Sequence, residues 1–373
     1  MTFLSLVVSF EAAQAGFDLN RSVRAMGMGN AFTAVVDDVD SLMYNPAGLA
    51  RIGGLNLRVV DLRIGTRNID DYENFTDVLD SDDLLQSVND LIGERVWVGG
   101  GAKTAIGFPY FAFGVYDSFD IGLEFNNPAY PTLDASAVND INYVVGFAFP
   151  VIPHILYGGL NIKRIDRMGS EQSFGADDLN DLDSDSLQDE LLNSGTGYGL
   201  DLGFNFVLPS PIISPIVSVV WQDFGGTSFR GDGTLPPSKQ ENLTVGASAE
   251  VDALIISVTP SLEFTDITNS DIDFGQKINV GVEVSLPLID VRAGFHQGYY
   301  TLGAGMNFGP FELDVASYGV ELGAYPGQRE DRRYMLELKI DLSLGSSFSL
   351  FDDDGADGSR SGGNRRRRLK QRR

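Results

Sequence analysis

Three stretches of this chain alternate apolar and polar side chains with a period of two for about a dozen residues each. Over 333–344, Tyr334, Leu336, Leu338, Ile340, Leu342 and Leu344 share one face. Arg333, Glu337, Lys339, Asp341 and Ser343 share the other, with Met335. Over 197–208, Tyr198, Leu200, Leu202, Phe204, Phe206 and Leu208 stand opposite Gly197, Gly199, Asp201, Gly203 and Asn205. Over 277–288, Ile278, Val280, Val282, Val284, Leu286 and Leu288 oppose Lys277, Asn279, Glu283 and Ser285. Successive side chains of a strand point to opposite faces, so each stretch predicts a two-faced strand. Periodicity alone leaves a soluble sandwich open; length favours a membrane. Runs of 11 or 12 residues exceed the five or six of an ordinary sandwich strand and fit the 9–11 that a tilted membrane-crossing strand needs.

The same reading along the chain predicts fourteen strands, at 55–64, 104–117, 119–127, 139–150, 154–165, 196–208, 213–222, 241–251, 253–266, 276–288, 289–297, 299–309, 310–321 and 331–344. An even number suits a bacterial single-chain barrel. The fold class expected is all-β: a transmembrane antiparallel β-barrel of about 14 strands, with an N-terminal plug in its lumen. The apolar run from Tyr143 to Gly159 is broken by Pro150 and Pro153, and so reads as strand, turn, strand. Polar insertions at 66–95, 168–194, 224–240 and 323–331 are expected outside the cell. Within the first, Phe75 to Ile92 carries helical spacing.

Composition adds export to this picture. The short apolar run Phe3 to Phe10 followed by Ala13-Gln14-Ala15 is signal-peptide-like, and too short for a membrane helix. No Lys or Arg precedes the run, so the leader is expected to begin further upstream. There is no cysteine, hence no disulfide, thiolate metal site or cysteine nucleophile. The net charge of −25 is split unevenly. Eight basic residues lie in the last 14 positions, leaving 19 basic against 52 acidic groups elsewhere. So acidic a body repels nucleic acid and anionic surfaces unless its charge lies in loops or a lumen. The basic tail is expected in the periplasm, against anionic polymer or an acidic partner, with nucleic acid excluded by compartment. The organisation expected is a leader over 1–15, a hatch over 16–53, a barrel over 54–346 and a tail over 347–373.

The hatch block is the most specific part of the chain. It holds Gly16-Phe17-x-Leu19-Asn20, then Gly27-x-Gly29-x-Ala31-Phe32, then Asp37-Asp38, then Asn45-Pro46-Ala47-Gly48-Leu49. Pro46 keeps Asn45 out of helical geometry, and the Asn amide can satisfy backbone groups where no ladder exists. Gly27 and Gly29 permit close backbone approach to a wall. This block resembles the N-terminal hatch of the FadL family of outer-membrane transporters for long-chain fatty acids and other hydrophobic compounds. It is also similar to that of PorV-type relatives, which serve protein secretion. The resemblance implies a cell outer-membrane barrel, a hydrophobic small-molecule ligand held against the hatch, and a hatch rearrangement that lets it leave. It assigns hatch or ligand contacts to Phe17, Leu19, Gly27, Gly29, Phe32, Asn45, Pro46 and Ala47. Burial of an acyl chain at about 0.8 kcal/mol per CH₂ would draw such a ligand from water. Alternation turns Lys163, Lys277, Arg292, His296 and Lys339 inward, as contacts for a carboxylate headgroup or members of an internal salt-bridge net.

Little argues for catalysis or a cofactor. Gly27-x-Gly29 has Phe32 where a dinucleotide fingerprint needs its third Gly, and no strand precedes it. Gly99-Gly100-Gly101-Ala102-Lys103-Thr104 lacks the Gly before Lys of a phosphate loop, and reads as a flexible approach to a strand. The two histidines, His154 and His296, are far apart, and no GxSxG elbow occurs. Asp181, Asp183 and Asp185 begin like a calcium loop, but Ser186 replaces its Gly and Leu192 its terminal Glu. A solvated outer loop is the expectation there, and no metal is assigned.

Overall fold

The computed structural model describes residues 21–67, 95–126, 132–175, 193–208, 210, 213–253 and 255–344. Among them no helix is long and apolar enough to cross a membrane. The strands do the crossing. In chain order they are β1 (Leu55–Thr66), β2 (Arg95–Phe108), β3 (Phe111–Asn126), β4 (Thr132–Ile152), β5 (Leu156–Phe174), β6 (Ser194–Val207) and β7 (Ile213–Gln222). After the two-residue β8 (Phe229–Arg230) come β9 (Asn242–Ala253), β10 (Ile256–Phe264), β11 (Ile278–Ser285), β12 (Ile289–His296), β13 (Tyr299–Phe308), β14 (Phe311–Glu321) and β15 (Glu330–Leu344).

Each long strand pairs antiparallel with the next, and β15 returns to β1 with Leu344 opposite Leu55. Fourteen strands therefore close a barrel, which leaves no unpaired edge. β8 extends the top of β6 beyond the end of β7, with Thr196 facing Arg230. The start of β1 and the end of β15 lie at one rim, where connections are short. At the far rim they vary, from two residues between β12 and β13 to the stretch 223–241 between β7 and β9.

Alternation holds on the outside. Leu62, Ile64, Phe147, Ile162, Phe204, Leu336 and Leu338 are all exposed, a belt that only lipid can cover without cost. Strand lengths are less even than the sequence suggests. β4 has 21 residues and β5 has 19, while β11 and β12 have eight each.

Three expectations are corrected. The strands expected at 104–117 and 119–127 are divided elsewhere: a turn at Pro109-Tyr110 ends β2 at Phe108, and β3 runs unbroken from Phe111 to Asn126. Tyr110 takes φ 68° there and donates its N–H to the carbonyl of Leu49. Gly99 to Gly101 do not form a flexible approach; they sit in β2, paired with both β1 and β3. The insertion expected from 168 begins later, because 168–174 continues β5. The leader, the helical spacing at 75–92, the acidic loop at 181–185 and the tail from 347 lie outside the described residues. The proline-broken run is strand, turn, strand: Pro150 stays in β4 at a register shift, and β5 resumes at Leu156.

Candidate functional site

Residues 21–53 lie inside the barrel and are bound to inward-facing side chains around most of its circumference. The chain enters by α1 (Val23–Gly27), capped by Ser22, whose hydroxyl accepts from Ala25 N–H at 3.2 Å. The free N–H of Val23 donates to Glu337 Oε2 at 3.0 Å, which satisfies one of the donors a helix start leaves open. Arg24 makes a fork onto Glu283 with two 2.8 Å bonds, and its guanidinium lies over the Phe32 ring. Phe32 meets Tyr44 edge-on at 5.0 Å, while the Tyr44 hydroxyl accepts from Ser22 N–H. Next, Glu263 accepts from the N–H groups of Phe32 and Thr33 and from the Thr33 hydroxyl, at 2.7–2.9 Å.

The second half turns back through α2 (Ser41–Tyr44) and a 3₁₀ helix (Pro46–Arg51). Asn45 is the joint. Its φ of −158° is extended, as the following proline demands, and its side-chain oxygen accepts from Ala47 N–H at 3.0 Å. Its amide nitrogen donates to Thr33 O at 3.0 Å and to Asn205 Oδ1 at 2.7 Å. One side chain thus caps a helix, ties the two halves of the segment and anchors both to β6. Arg51 closes the other side by donating from Nη1 to the carbonyls of Ala34, Val35 and Val36.

Two kinds of wall receive this segment. Along β1, β2 and β15 it meets buried charge. Arg58 binds Asp40 at 2.6 Å, Asp38 at 3.0 Å and Asp341 at 2.9 Å. Lys103 binds Asp40 at 2.6 Å and Asp61 at 2.8 Å. Burial alone would raise the Asp40 carboxyl, but Arg58 and Lys103 outweigh it and hold the group far below the ordinary carboxylate range. Asp38 goes the other way, raised first by burial and then by the charge of Asp40.

Along β4, β5 and β6 the wall is notched by glycine instead. Leu42 presses on Gly146, the Pro46-Ala47 backbone on Gly159, and Asn45 with Pro46 on Gly203. A Cβ at any of these three would overlap the segment. Val39, Leu42, Leu49 and Ile52 then pack with Ala105, Tyr110, Ala112, Tyr116, Val144, Ala148 and Tyr157. Gly27 and Gly29 serve the close approach expected of them. Gly27 backs onto Gly303, and Gly29, at φ 64°, lies against the backbone of Val280 and Phe295.

Six of the eight residues expected at the hatch, Gly27, Gly29, Phe32, Asn45, Pro46 and Ala47, are therefore gathered inside the barrel. Phe17 and Leu19 lie outside the described residues. The five inward cations are inward, and each is engaged by the protein itself. Lys163 binds Asp201 and Asp223, Lys277 donates to Asn269 O, and Arg292 binds Glu283 and Asp314. His296 Nδ1 is 2.7 Å from Asn279 Oδ1, and Lys339 binds Asp314 and Glu337. Lys163, Arg292 and Lys339 belong to an internal salt-bridge net, while Lys277 and His296 are held by a backbone carbonyl and an amide oxygen. At the far rim the net continues into the 223–241 connection. Asp223 would be raised by burial, yet Lys163 and Lys239 bring its carboxyl down to about 2. Arg167 spans Asp140 and the carbonyl of Pro237. A cavity of about 380 Å³ lined by Leu62, Ile64, Ala102, Phe119, Leu336 and Leu338 opens outward, on the belt.

Sequence reading missed Arg24, Tyr44, Arg51, Glu263 and the wall glycines. A glycine on an inward strand position was the visible signal for the last group; what sits on it was not.

No protein-family model matches the chain, and no curated protein matches it. Among solved structures, the TodX deltaS2S3 mutant monoaromatic hydrocarbon channel aligns over 87% of this chain and 99% of its own, with TM-score 0.50 and 10% identity. The barrel has the fold of that channel. The CymD monoaromatic hydrocarbon channel aligns over 87% of this chain and 97% of its own, at TM-score 0.49 and 12% identity. The Ralstonia pickettii toluene transporter TbuX aligns over 87% and 98%, at TM-score 0.43 and 11% identity. At such identities the likeness is one of architecture, and the interior contacts above are this chain's own.

Proposed function

We propose that the chain is an outer-membrane conduit for hydrophobic small molecules, a transporter and not an enzyme, closed in this state by residues 21–53 acting as a hatch. The fold shared with a monoaromatic hydrocarbon channel supports the substrate class. The observation that carries the gating is the seal itself: Asn45, Ala47 and Leu49 are fully buried, so passage requires their displacement. The contacts holding them are hydrogen bonds and packing with no covalent tie, and the paired interior charges offer little to an ionic solute. Long-chain fatty acids and monoaromatic hydrocarbons are the compounds to test.

The chain has no cysteine, so a lock can be installed cleanly. Asn45→Cys with Asn205→Cys, bridged by oxidation to a disulfide and released by a reductant, ties the hatch to β6 across side chains that touch in the wild type. Labelled fatty acid or toluene should enter cells carrying the unbridged pair and stop entering once it is bridged. Undiminished entry through the bridged barrel would remove the hatch role. Entry no faster than in cells lacking the protein would remove the conduit. A second reading, a PorV-like docking barrel for secreted proteins, is supported by the close filling around Asn45 to Ala47; it expects secretion, rather than uptake, to depend on the barrel.

A further inference from the structure

On the outer face of the barrel, at the top of the apolar belt, one arginine stands between two tyrosines. Arg164 on β5 is directly opposite Tyr143 on β4 and Tyr198 on β6. All three point outward and are exposed, Tyr198 to 72%. The guanidinium lies 5.7 Å from the centre of the Tyr143 ring. Asp166, two residues along β5, accepts from Arg164 Nη2 at 3.0 Å and from the Thr196 hydroxyl at 2.7 Å. That carboxylate steadies one edge of the guanidinium, while half of the arginine side chain stays open. Toward the other rim the same three strands present only apolar groups outward: Ile162 and Leu160, Phe204 and Leu202, Phe147 and Val145. A related set occurs on the β13–β15 wall. Arg332 lies 4.0 Å over the ring of Tyr300 and donates to its carbonyl at 2.8 Å, with Tyr334 beside it.

We propose that Arg164, with Tyr143 and Tyr198, is a binding site for the phosphate of a membrane lipid whose acyl chains lie down the belt below. This extends beyond passage through the lumen and does not depend on the hatch. Three physical points select that occupant. A guanidinium is a planar multiple donor matched to phosphate oxygens. Exposed tyrosines at a membrane interface keep the ring in lipid and the hydroxyl available to a headgroup. An apolar surface directly beneath suits chains attached to that headgroup and does not suit a free anion. The net charge of −25 sharpens the point, because the chain as a whole does not attract anionic lipid and a local cation is needed.

The test is native mass spectrometry of the full chain in detergent, titrated with dioleoyl phosphatidic acid, dioleoylglycerol and inorganic phosphate. Phosphatidic acid should bind at least tenfold more tightly than dioleoylglycerol. Arg164→Gln should cost about tenfold or more of that affinity, the scale of a charge-assisted bond, and Arg164→Lys should recover part of it. Arg230→Gln on β8, away from the belt, should change nothing. Equal binding of phosphatidic acid and dioleoylglycerol, or unchanged affinity in Arg164→Gln with the barrel intact by gel mobility, would overturn the site. Complete competition by millimolar inorganic phosphate would assign it to a free anion and overturn the lipid.

Discussion

The β1–β2–β15 wall and the β4–β5–β6 wall hold the same N-terminal segment by opposite means. On the first, buried cations of the barrel grip Asp38 and Asp40. On the second, glycines open notches into which Leu42, Asn45, Pro46 and Ala47 settle. The difference teaches how the hold on the segment can be tuned. Ionic contacts answer to pH, and those at the partly exposed Asp38 and Asp341 also to salt. Packing answers to volume alone. A segment tied on one side by charge and on the other by shape has two independent ways of coming loose.

Arg58→Ala should break the comparison most severely. It removes the cation that Asp38 and Asp341 pair with and one of the two that hold Asp40 and Asp61, which keep Lys103. Removal of one member of a buried ion cluster costs about 3–5 kcal/mol. Protease nicking within 21–53, read on a barrel that keeps its heat-modifiable gel shift, should rise sharply. Gly159→Ala comes next, since its methyl group would overlap the backbone of Pro46 and Ala47. Overpacking of this kind costs about 1–3 kcal/mol, and the resulting nicking should be insensitive to salt. Nicking that grew with salt in this variant would mean the two walls are not separate.

Arg24→Gln should matter less, about 1–3 kcal/mol. Its partner Glu283 stays engaged by Arg292 at 2.7 Å, so the wall carboxylate is not orphaned. The smallest effect is that of pH near neutrality. Asp40 has a depressed folded value, so its contribution is complete above the ordinary carboxylate pKa of about 3.9 and is lost as pH falls through and below it. Asp38 is raised, so its own contribution has the opposite sign: present at low pH and lost as pH rises through its folded value. The Asp40 contacts should therefore hold at full strength from pH 8 to about 5 and weaken below about 4, with Asp38 working against them. Nicking followed across that range checks this, and a midpoint near neutrality would show that Asp40 is not the controlling group.

Much of the barrel was legible because lipid and water impose a period of two that any strand must show. The reading failed at 104–117 for a related reason. Ile106 to Tyr116 is apolar on both faces near the short-turn rim, so nothing polar marks the turn at Pro109-Tyr110. The Gly99–Gly101 run misled because glycine signals a loop locally, while here it lies within a ladder between two strands. The close packing of residues 21–53 against the barrel wall was legible from the glycines of their motif, and the joint at Asn45 from its chemistry. Arg24 and Glu263 were not, because their partners lie 259 and 231 residues away along the chain.

The amino-acid sequence by itself thus determined the two-faced strands, their even number and an N-terminal block suited to close packing, since each follows from local pattern or a contiguous motif. Tertiary structure alone decided which inward cation meets which carboxylate, and which glycine receives which residue of the 21–53 segment. Closure of β15 onto β1 sets the register, and register places Asp61 opposite both Lys103 and Lys339. No pattern along a single strand contains that information.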